Sequence, residues 1–367
     1  MRICYISNSA SPSKNASSLQ TAKLCECISK IGHKVNLILP NTGELDKNYF
    51  NFYNIKYKFK ITRLKYFNKF PSGLNYYLYS FLSILNSNHR KQDLYITRNF
   101  FTSFLLSLIR KKHIFEIHDD ISIEGRFVKF LVKSLKILNN DSILKIVTTT
   151  QSLKRKYTKY GITKKIIVLH NASSLKSKMK KYHFNPKKLN IGYFGSIYNS
   201  RGIEMIIKIS KIDSRNNYFI YGGSKKQILD IKKNISNKNI NFFSHIPYSA
   251  IYKKLSNIDV CILPYTSKIT VSGNVGDISK YTSPLKLFDY MKLGKLILCS
   301  NLKVLNEVLY HKKNSILINN YKDEKEWLKQ IYEKSKNIKK YDKIRKSAFE
   351  YAKKHDVIWR TSRLLSF

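Results

Sequence analysis

Short apolar segments alternate with segments of helical periodicity along the chain, in two successive runs. Continuous apolar segments of this length are typical of parallel strands, because helices cover both faces of a parallel sheet. A polar, basic stretch without periodicity, residues 172–188, separates the two runs. The pattern predicts an α/β protein with two Rossmann-like, doubly wound parallel-sheet domains. Their ligand sites are expected at the carboxyl ends of the strands, facing one another across a cleft.

The domain boundaries follow from where this alternation begins and stops. The first domain is predicted to cover residues 1–172, the linker residues 173–188 and the second domain residues 189–351, before a helical tail. The predicted strands are Arg2–Ser7, Lys34–Leu39, Leu94–Thr97, His113–Ile117, Leu144–Thr149 and Lys165–Leu169 in the first run, and Leu189–Gly195, Tyr218–Tyr221, Ile240–Phe242, Val260–Leu263, Leu296–Cys299 and Ile316–Ile318 in the second.

The chain is strongly basic, with 68 Lys and Arg against 23 Asp and Glu in 367 residues, a net charge of +45. Attraction to polyanions is one explanation of this charge. Coding bias is the other explanation. Asn, Ile, Tyr and Phe are also abundant, and, like Lys, they are encoded by A/T-rich codons. A basic nucleic-acid-binding protein is therefore a non-enzymatic alternative, although the sequence has no helix-turn-helix, zinc or RNP-type signature.

Cysteine usage and hydropathy bear on where the protein works. The five cysteines show no C-x-x-C pair and no disulfide-like spacing, which indicates a reducing, cytosolic compartment. The N-terminal residues resemble a strand rather than a signal peptide, and no apolar run reaches the roughly 18 residues that suggest a membrane span. The aromatic stretch 74–85 is either an amphipathic membrane-binding helix or a core helix.

The first candidate site is a glycine turn between a strand and a helix. Gly195 and Ser196 end the predicted strand, and Arg201 and Gly202 precede the next helix. A helix N-terminus offers free backbone N–H groups to an anion, and a guanidinium adds a charge suited to phosphate. The alternative is an ordinary strand-to-helix turn with a solvated arginine.

The second candidate site is the start of a helix. Ser283 is the predicted N-cap and Pro284 suits the first turn, so the amides from Leu285 onward would face a diphosphate. Asp289, further along this helix, could accept hydrogen bonds from ribose hydroxyls. Lys286 is expected on the same side as Asp289, so an intrahelical ion pair between the two is the alternative.

The third candidate site follows the strand His113–Ile117. His118, Asp119 and Asp120 stand where α/β proteins gather polar groups, and a histidine there could bind a substrate hydroxyl or transfer a proton. The alternative is that His118 caps the next helix while both aspartates face solvent. No group of His, Cys or Asp has metal-ligand spacing, so no metal is predicted.

Seven segments together resemble retaining glycosyltransferases of family 4, which have the GT-B fold. The resemblance extends over nearly the whole chain, and the donor-site helix is its most specific part. The segments are MRICYISNSASPSKN with the later turn GHKV, FEIHDD, IIVLHNAS, IGYFGSIYNSRGIEMII, IDVCILPY, YTSPLKLFDYMKLGKLILCSN and the final HDVIWRTSRLL.

This resemblance implies a nucleotide-sugar donor on the second domain and an acceptor on the first. It also implies that a final helix, about residues 352–367, rejoins the first domain. By the family pattern, Arg201 contacts the donor diphosphate, Asp289 the ribose and His118 the donor sugar. No cofactor or metal is implied. The implied donor-binding residues are Gly195, Ser196, Arg201, Gly202, Ser283, Pro284, Leu285, Lys286 and Asp289.

Two positions depart from the family pattern. Ser196 replaces the usual arginine of the first phosphate loop, and Tyr281 replaces the first glutamate of the E-x7-E motif. One positive charge and one carboxylate near the donor are therefore missing. Lys286 is the candidate to supply the charge, and Asp277 the candidate to supply the acid.

The function that follows is transfer of a sugar from a UDP- or GDP-sugar to a lipid-linked saccharide in bacterial surface polysaccharide biosynthesis. The predicted location is the cytoplasm, on the inner face of an anionic membrane. No specific nucleic acid is expected as a partner. The enzymatic alternative is a UDP-sugar epimerase on the same fold, and a catalytically inactive scaffold is a further one.

Overall fold

The chain forms two compact units, each built around its own parallel sheet. The computed structural model describes residues 1–43, 45–65, 72–88, 91–121, 126–176, 179, 185, 187–198, 200–270, 277–336 and 338–366. The first unit comprises Met1–His170 with Val357–Phe367, and the second comprises Asn171–Asp356. The predicted boundaries lay at residues 172, 189 and 351, and the last helix belongs to the first unit.

The first unit contains a seven-stranded sheet in the order β3-β2-β1-β4-β5-β6-β7, with all neighbouring strands parallel. Its strands are largely buried and apolar, as expected of a sheet that helices cover on both faces. They are β1 (Arg2–Ile6), β2 (Lys34–Pro40), β3 (Lys60–Leu64), β4 (Leu94–Thr97), β5 (His113–Ile117), β6 (Ile143–Thr148) and β7 (Ile166–Val168).

Among the described residues, seven α-helices accompany this sheet, and the last of them comes from the C-terminal part of the chain and packs against α1. The first six are α1 (Ala16–Lys30), α2 (Asp46–Phe52), α3 (Ser72–Asn88), α4 (Phe100–Leu108), α5 (Arg126–Lys133) and α6 (Gln151–Lys159); the C-terminal helix is α13 (Val357–Leu365).

The second unit contains a six-stranded parallel sheet in the order β10-β9-β8-β11-β12-β13. The strands are β8 (Asn190–Phe194), β9 (Asn217–Tyr221), β10 (Ile240–Phe243), β11 (Val260–Leu263), β12 (Leu296–Ser300) and β13 (Ile316–Ile318). The helices are α7 (Ile203–Ile212), α8 (Lys225–Lys232), α9 (Tyr248–Ser256), α10 (Leu285–Lys292), α11 (Glu324–Lys336) and α12 (Ile338–Lys354).

Several elements differ from the sequence prediction. The sequence pattern did not predict strand β3 or helix α2. Strand β3 was missed because it is a half-buried edge strand in which Lys and Arg interrupt the apolar pattern. The apolar spacing of residues 303–310 predicts an α-helix, whereas the structure has a 3₁₀ turn there, Leu305–Glu307. The helical tail breaks after Lys354, and Val357 begins a new helix. Within the described part of the chain, no helix is both long enough and apolar enough to cross a membrane.

Both sheets reverse their strand order once. In the second sheet β8 pairs with β9 on one side and with β11 on the other. The connections leave the ends of β8 and β11 in opposite directions, which opens a crevice at the carboxyl ends of these strands. In the first sheet the same reversal lies between β1 and β4. Each unit thus has one position that its topology favours for a ligand.

Candidate functional site

Arg201 lies at the crevice of the second unit, in the turn between β8 and α7. Its Nη2 donates to the Thr270 carbonyl at 2.7 Å, and its guanidinium lies 5.3 Å from the centre of the Tyr265 ring. Its Nε is buried and has no hydrogen-bond partner among the described residues. The arginine is therefore held from the β11 side of the crevice and keeps an unused donor.

Lys286 reaches the same crevice from the first turn of α10. Its Nζ donates to the Tyr193 hydroxyl at 2.7 Å and lies 4.0 Å from the centre of that ring. It also lies 5.4 Å from the centre of the Tyr265 ring, which Arg201 contacts as well. Two cations from different helical connections therefore converge on one tyrosine.

This pair of cations has no carboxylate counter-charge among the described residues of its unit. Across residues 187–198, 200–270 and 277–336, neither Arg201 nor Lys286 forms a salt bridge with a carboxylate. Burial, and after it the charge of Arg201, lower the pKa of Lys286 well below its usual value. Two like charges held together in a partly buried crevice favour an anionic ligand, which would relieve both effects.

Two of the predicted glycines make this arrangement possible. Gly195 has φ +140°, and a Cβ on it would lie 2.2 Å from the Lys286 Nζ. Gly202 is the N-cap of α7 with φ +78°, and a Cβ on it would lie 1.8 Å from the Pro264 carbonyl oxygen. Gly195 thus leaves room for the lysine, while Gly202 lets the Arg201 turn approach the end of β11.

The start of α10 differs from the prediction in its cap. Pro284, not Ser283, is the N-cap, and it offers no side-chain hydrogen bond. The Ser283 hydroxyl instead accepts from the Asn171 amide at 3.2 Å, so the prediction that Ser283 caps the helix was wrong. The Leu287 amide donates to the Pro284 carbonyl at 3.1 Å. The first-turn amides that remain for a ligand are therefore those of Leu285 and Lys286.

Asp289 is buried, with 4% of its surface exposed. Its Oδ1 accepts from the Ser173 hydroxyl at 2.6 Å and from the Tyr248 hydroxyl at 2.9 Å. Burial raises the pKa of Asp289 to about 7, although these two hydrogen bonds oppose the rise. Asp289 and Lys286 form no ion pair, so the structural alternative considered for them was wrong. Ser173, the first residue of the predicted linker, is itself buried against α10.

Ser196, one of the departures from the family pattern, and Asp277, the candidate to supply the missing acid, both have clear positions. Ser196 is half-buried after β8, and its carbonyl accepts from the Tyr193 hydroxyl at 2.7 Å. The same hydroxyl accepts from Lys286, so Tyr193 connects the Ser196 turn to the lysine. Asp277 is exposed and accepts from the Ile269 and Ser279 amides of its own loop. Residues 271–276, which precede Asp277 in the chain, lie outside the described residues.

His118 stands at the carboxyl end of β5 in the first unit. Its Nε2 is buried, lies 4.0 Å from the Glu116 Oε1 and has no hydrogen-bond partner among the described residues. Burial and the charge of Arg98 lower the pKa of His118 well below its usual value, although Glu116 opposes them. The imidazole is therefore neutral at pH 7 and suited to a hydroxyl group rather than to a phosphate.

The two aspartates after His118 behave differently from each other. Asp119 is exposed, whereas Asp120 is buried and pairs with Lys156. The interpretation that both aspartates face solvent is therefore wrong for Asp120. No group of three or more His, Cys, Asp or Glu that could hold a metal occurs in the part of the chain that the structure describes. The absence of a metal from the reaction stays a prediction.

Sequence reasoning missed the charge network behind His118. Glu116 is fully buried, and its carboxylate accepts from Arg360 Nη2 at 2.8 Å, Arg98 Nε at 3.2 Å and the Tyr5 hydroxyl at 3.3 Å. Burial alone would raise the pKa of Glu116, but Arg360 and Arg98 outweigh it and hold the pKa far below its usual value. A glutamate inside the apolar strand β5 was the available signal, because a buried charge requires partners.

The comparisons with known proteins agree on the fold. Residues 188–337, less than half of the chain, match the sequence profile of glycosyl transferases group 1. No curated protein has a sequence that matches this chain significantly. Together with the two parallel-sheet domains, the profile match and the solved structures below support an enzyme of the glycosyltransferase class with the GT-B fold.

Three similar solved structures cover nearly the whole chain. Anabaena HepE in complex with UDP and glucose has a TM-score of 0.72 and 14% identity, over 99% of this chain and 98% of that chain. Sucrose-phosphate synthase from Thermosynechococcus elongatus has a TM-score of 0.73 and 14% identity, over 99% and 98%. WaaG, a glycosyltransferase involved in lipopolysaccharide biosynthesis, has a TM-score of 0.66 and 11% identity, over 98% of each chain.

Proposed function

We propose that this protein is a retaining glycosyltransferase of family 4 that transfers a sugar from a UDP- or GDP-sugar to a lipid-linked saccharide. The observation that carries the proposal is the convergence of Arg201 and Lys286 on Tyr265 without a carboxylate partner. A diphosphate supplies the charge that this crevice lacks. The profile match over residues 188–337 and the similarity to HepE bound to UDP and glucose support the same class of donor.

The donor-binding roles follow from the described contacts. Arg201 presents its unused Nε and Lys286 its ammonium group to the diphosphate. The amides of Leu285 and Lys286, at the positive end of α10, add hydrogen bonds to the same group. Asp289 offers its second carboxylate oxygen to the ribose, while Ser173 and Tyr248 hold the first oxygen. Lys286 thereby takes over the charge that the serine at 196 does not provide.

The proposed chemistry is a front-face transfer with retention. An acceptor hydroxyl oxygen bonds to the anomeric carbon as the bond from that carbon to the diphosphate oxygen breaks. The leaving oxygen takes the proton of the acceptor hydroxyl, so no separate general base is needed. Arg201 and Lys286 stabilise the negative charge that grows on the diphosphate, and they do so without a metal. Neutral His118 binds a hydroxyl of the donor sugar.

The proposed acceptor places the reaction at a membrane. A lipid-linked saccharide in capsule, O-antigen or lipopolysaccharide biosynthesis would be reached from the cytoplasmic side. A chain with a net charge of +45 is attracted to anionic lipid, at about 1 kcal/mol for each basic residue near the surface. The similarity to WaaG, described as involved in lipopolysaccharide biosynthesis, supports this pathway.

Calorimetric titration of the purified chain with UDP, GDP and inorganic diphosphate tests the donor site. Arg201→Ala should weaken the preferred nucleotide by about 10- to 100-fold, the expected loss of a charge-assisted contact. Arg215→Ala is the matched control, because that arginine lies over Tyr332 in the same unit. Unchanged nucleotide affinity in Arg201→Ala would refute the site.

Incubation with radiolabelled UDP- and GDP-sugars tests the reaction itself. The proposal predicts transfer to a lipid-linked acceptor, or slow donor hydrolysis when no acceptor is present. Isomerised free donor would instead identify an epimerase. Tight, salt-dependent binding to DNA that survives Asp289→Ala, with no donor binding, would identify a nucleic-acid-binding protein.

A further inference from the structure

Helix α3 carries large apolar side chains on its outer face. Leu74, Tyr77, Phe81 and Leu85 are all exposed, and 51% of the Phe81 surface is accessible. Their spacing of three, four and four residues places them within an arc of about 80° around the helix. They therefore form one continuous stripe along the length of α3 rather than isolated surface residues.

The inner face of α3 is mixed, because it buries Tyr79 and Ile84 in the core together with polar side chains. Ser80 and Ser83 have 0% of their surface exposed, and Asn75 is also buried. The hydroxyl of Ser80 donates to the Tyr76 carbonyl at 2.8 Å, and that of Ser83 to the Tyr79 carbonyl at 2.7 Å. Each serine hydroxyl thus has a hydrogen-bond acceptor in a carbonyl of its own helix. Helix α3 differs from an ordinary surface helix in its outer face, which is apolar where charged residues are usual.

Helix α4, beside α3, likewise buries apolar side chains, Phe100 and Leu106, together with polar ones. Thr102, Ser103 and Ser107 are buried, whereas Leu108 and Ile109 at its C-terminal end are exposed, Leu108 to 62%. The two helices touch through small or polar groups and aromatic edges. The Asn99 Nδ2 donates to the Ser80 Oγ at 3.2 Å, and the rings of Tyr77 and Phe101 are 4.6 Å apart. The outward apolar side chains of both helices thus belong to one surface.

This surface, termed the apolar face, lacks charge, yet cations border one end of it. Neither α3 nor α4 contains a charged residue, although 25% of the chain is charged. Exposed Lys91, Arg110 and Lys112 lie just before β4 and β5, which pair with each other. Among the described residues none of these three has a salt-bridge partner. The apolar face is formed by Leu74, Tyr77, Phe81, Leu85, Leu108 and Ile109.

We propose that the apolar face docks on an anionic lipid bilayer, lying in the interface without spanning it. An apolar stripe that ends in Lys and Arg matches the layered chemistry of acyl chains below phosphate headgroups. A tyrosine within the stripe suits the boundary between them. A second copy of this chain is a poor occupant, because no acidic group on α3 or α4 would meet the bordering cations. The inference deepens the membrane association proposed above and requires neither donor nor acceptor.

Co-sedimentation of the full chain with vesicles tests the docking. Wild type should bind phosphatidylcholine vesicles containing phosphatidylglycerol, and bind vesicles of phosphatidylcholine alone much more weakly. Phe81→Glu with Leu85→Glu should reduce the first affinity by at least about tenfold, since each apolar group withdrawn from lipid costs a substantial part of the binding free energy. Leu229→Glu is the matched control, because that exposed leucine lies on α8 in the other unit.

A second measurement does not depend on whether the double variant Phe81→Glu/Leu85→Glu folds. Tyr77→Trp should show a blue-shifted emission on anionic vesicles and quenching by brominated acyl chains. Vesicle binding without that shift, or binding equal in Phe81→Glu/Leu85→Glu and wild type, would overturn the assignment. A concentration-dependent dimer that the same double variant dissolves would show that a second copy covers the face. UDP titration of each variant separates failure of docking from failure of the proposed donor site.

Discussion

Replacing Lys286 by methionine should change stability and nucleotide binding in opposite directions. Lys286 lies beside Arg201 with a hydroxyl and two rings as its neighbours, and burial and that like charge lower its pKa. An unpaired ammonium there costs folding free energy until an anion binds. Methionine has a similar length, keeps the contact with the Tyr193 ring and removes the charge.

The expected magnitudes differ for the two properties. Replacing a buried ion pair by apolar groups of similar volume is neutral or stabilises proteins by about 1–4 kcal/mol, and removal of one half-buried charge should act in the same direction. Because Lys286 keeps a hydroxyl acceptor at 2.7 Å, we expect the lower end, about 1 kcal/mol, or a rise of about 2–4 °C in Tm for a unit of this size. Loss of a charge-assisted contact with a diphosphate costs about 1.5–3 kcal/mol, which corresponds to roughly 10- to 150-fold weaker UDP binding.

Lys292 supplies the control on the same helix. Lys292 is more deeply buried than Lys286, with 4% of its surface exposed, and its Nζ lies 3.3 Å from the Asp356 Oδ2. Lys292→Met removes this ion pair and should therefore lower Tm and leave UDP affinity unchanged. Thermal unfolding and calorimetric titration of both variants make the comparison. A Tm for Lys286→Met that falls as far as that of Lys292→Met, or UDP affinity within about twofold of wild type, would refute the reasoning.

Four further predictions concern protons, backbone space and buried charge. UDP affinity should decline as pH rises through the depressed pKa of Lys286, below the 10.5 of a free lysine, as calorimetry across pH can show. Burial raises the pKa of Asp289 from 3.8 to about 7, so its stabilising contribution is complete below pH 4 and lost as pH rises through 7. Chemical denaturation should show wild type losing about 4 kcal/mol more than Asp289→Asn across that interval. Gly202→Ala should weaken UDP binding, because its Cβ would overlap the Pro264 carbonyl and displace the Arg201 turn. Glu116→Gln should lose about 3–5 kcal/mol in urea unfolding, because buried Arg360 and half-buried Arg98 lose their carboxylate.

The sequence identified the pieces of the crevice but not the contacts between them. Glycine turns and helix starts are local patterns, so Gly195, Arg201, Gly202 and Pro284 could be found from spacing alone. The meeting of Arg201 with Lys286 could not, because it depends on β8 and β11 being neighbours in the sheet. Strand order is set by tertiary packing, and the periodicity of single strands carries no record of it.

Asp289 shows a second limit of local patterns. Spacing on one helix suggested a pair with Lys286, since residues three apart are neighbours on a helix surface. Its actual partners, Ser173 and Tyr248, come from the start of the second unit and from α9. Hydroxyl groups are too common in a sequence to be singled out as partners of one buried acid. The cap at Pro284 instead of Ser283 is a smaller error of the same origin, because Asn171 competes for the serine.

The positions of the charged residues, rather than their number, distinguish the two explanations of the basic composition. Coding bias raises lysine content throughout a chain, and it acts without regard to where a residue will lie. It does not account for the absence of charged residues from two neighbouring helices that expose large apolar side chains. Bias acts on the lysine content of the chain as a whole, whereas the proposed docking on a bilayer concerns the charge-free face on α3 and α4. The cations at its edge are then those for which attraction to an anionic surface is the better explanation.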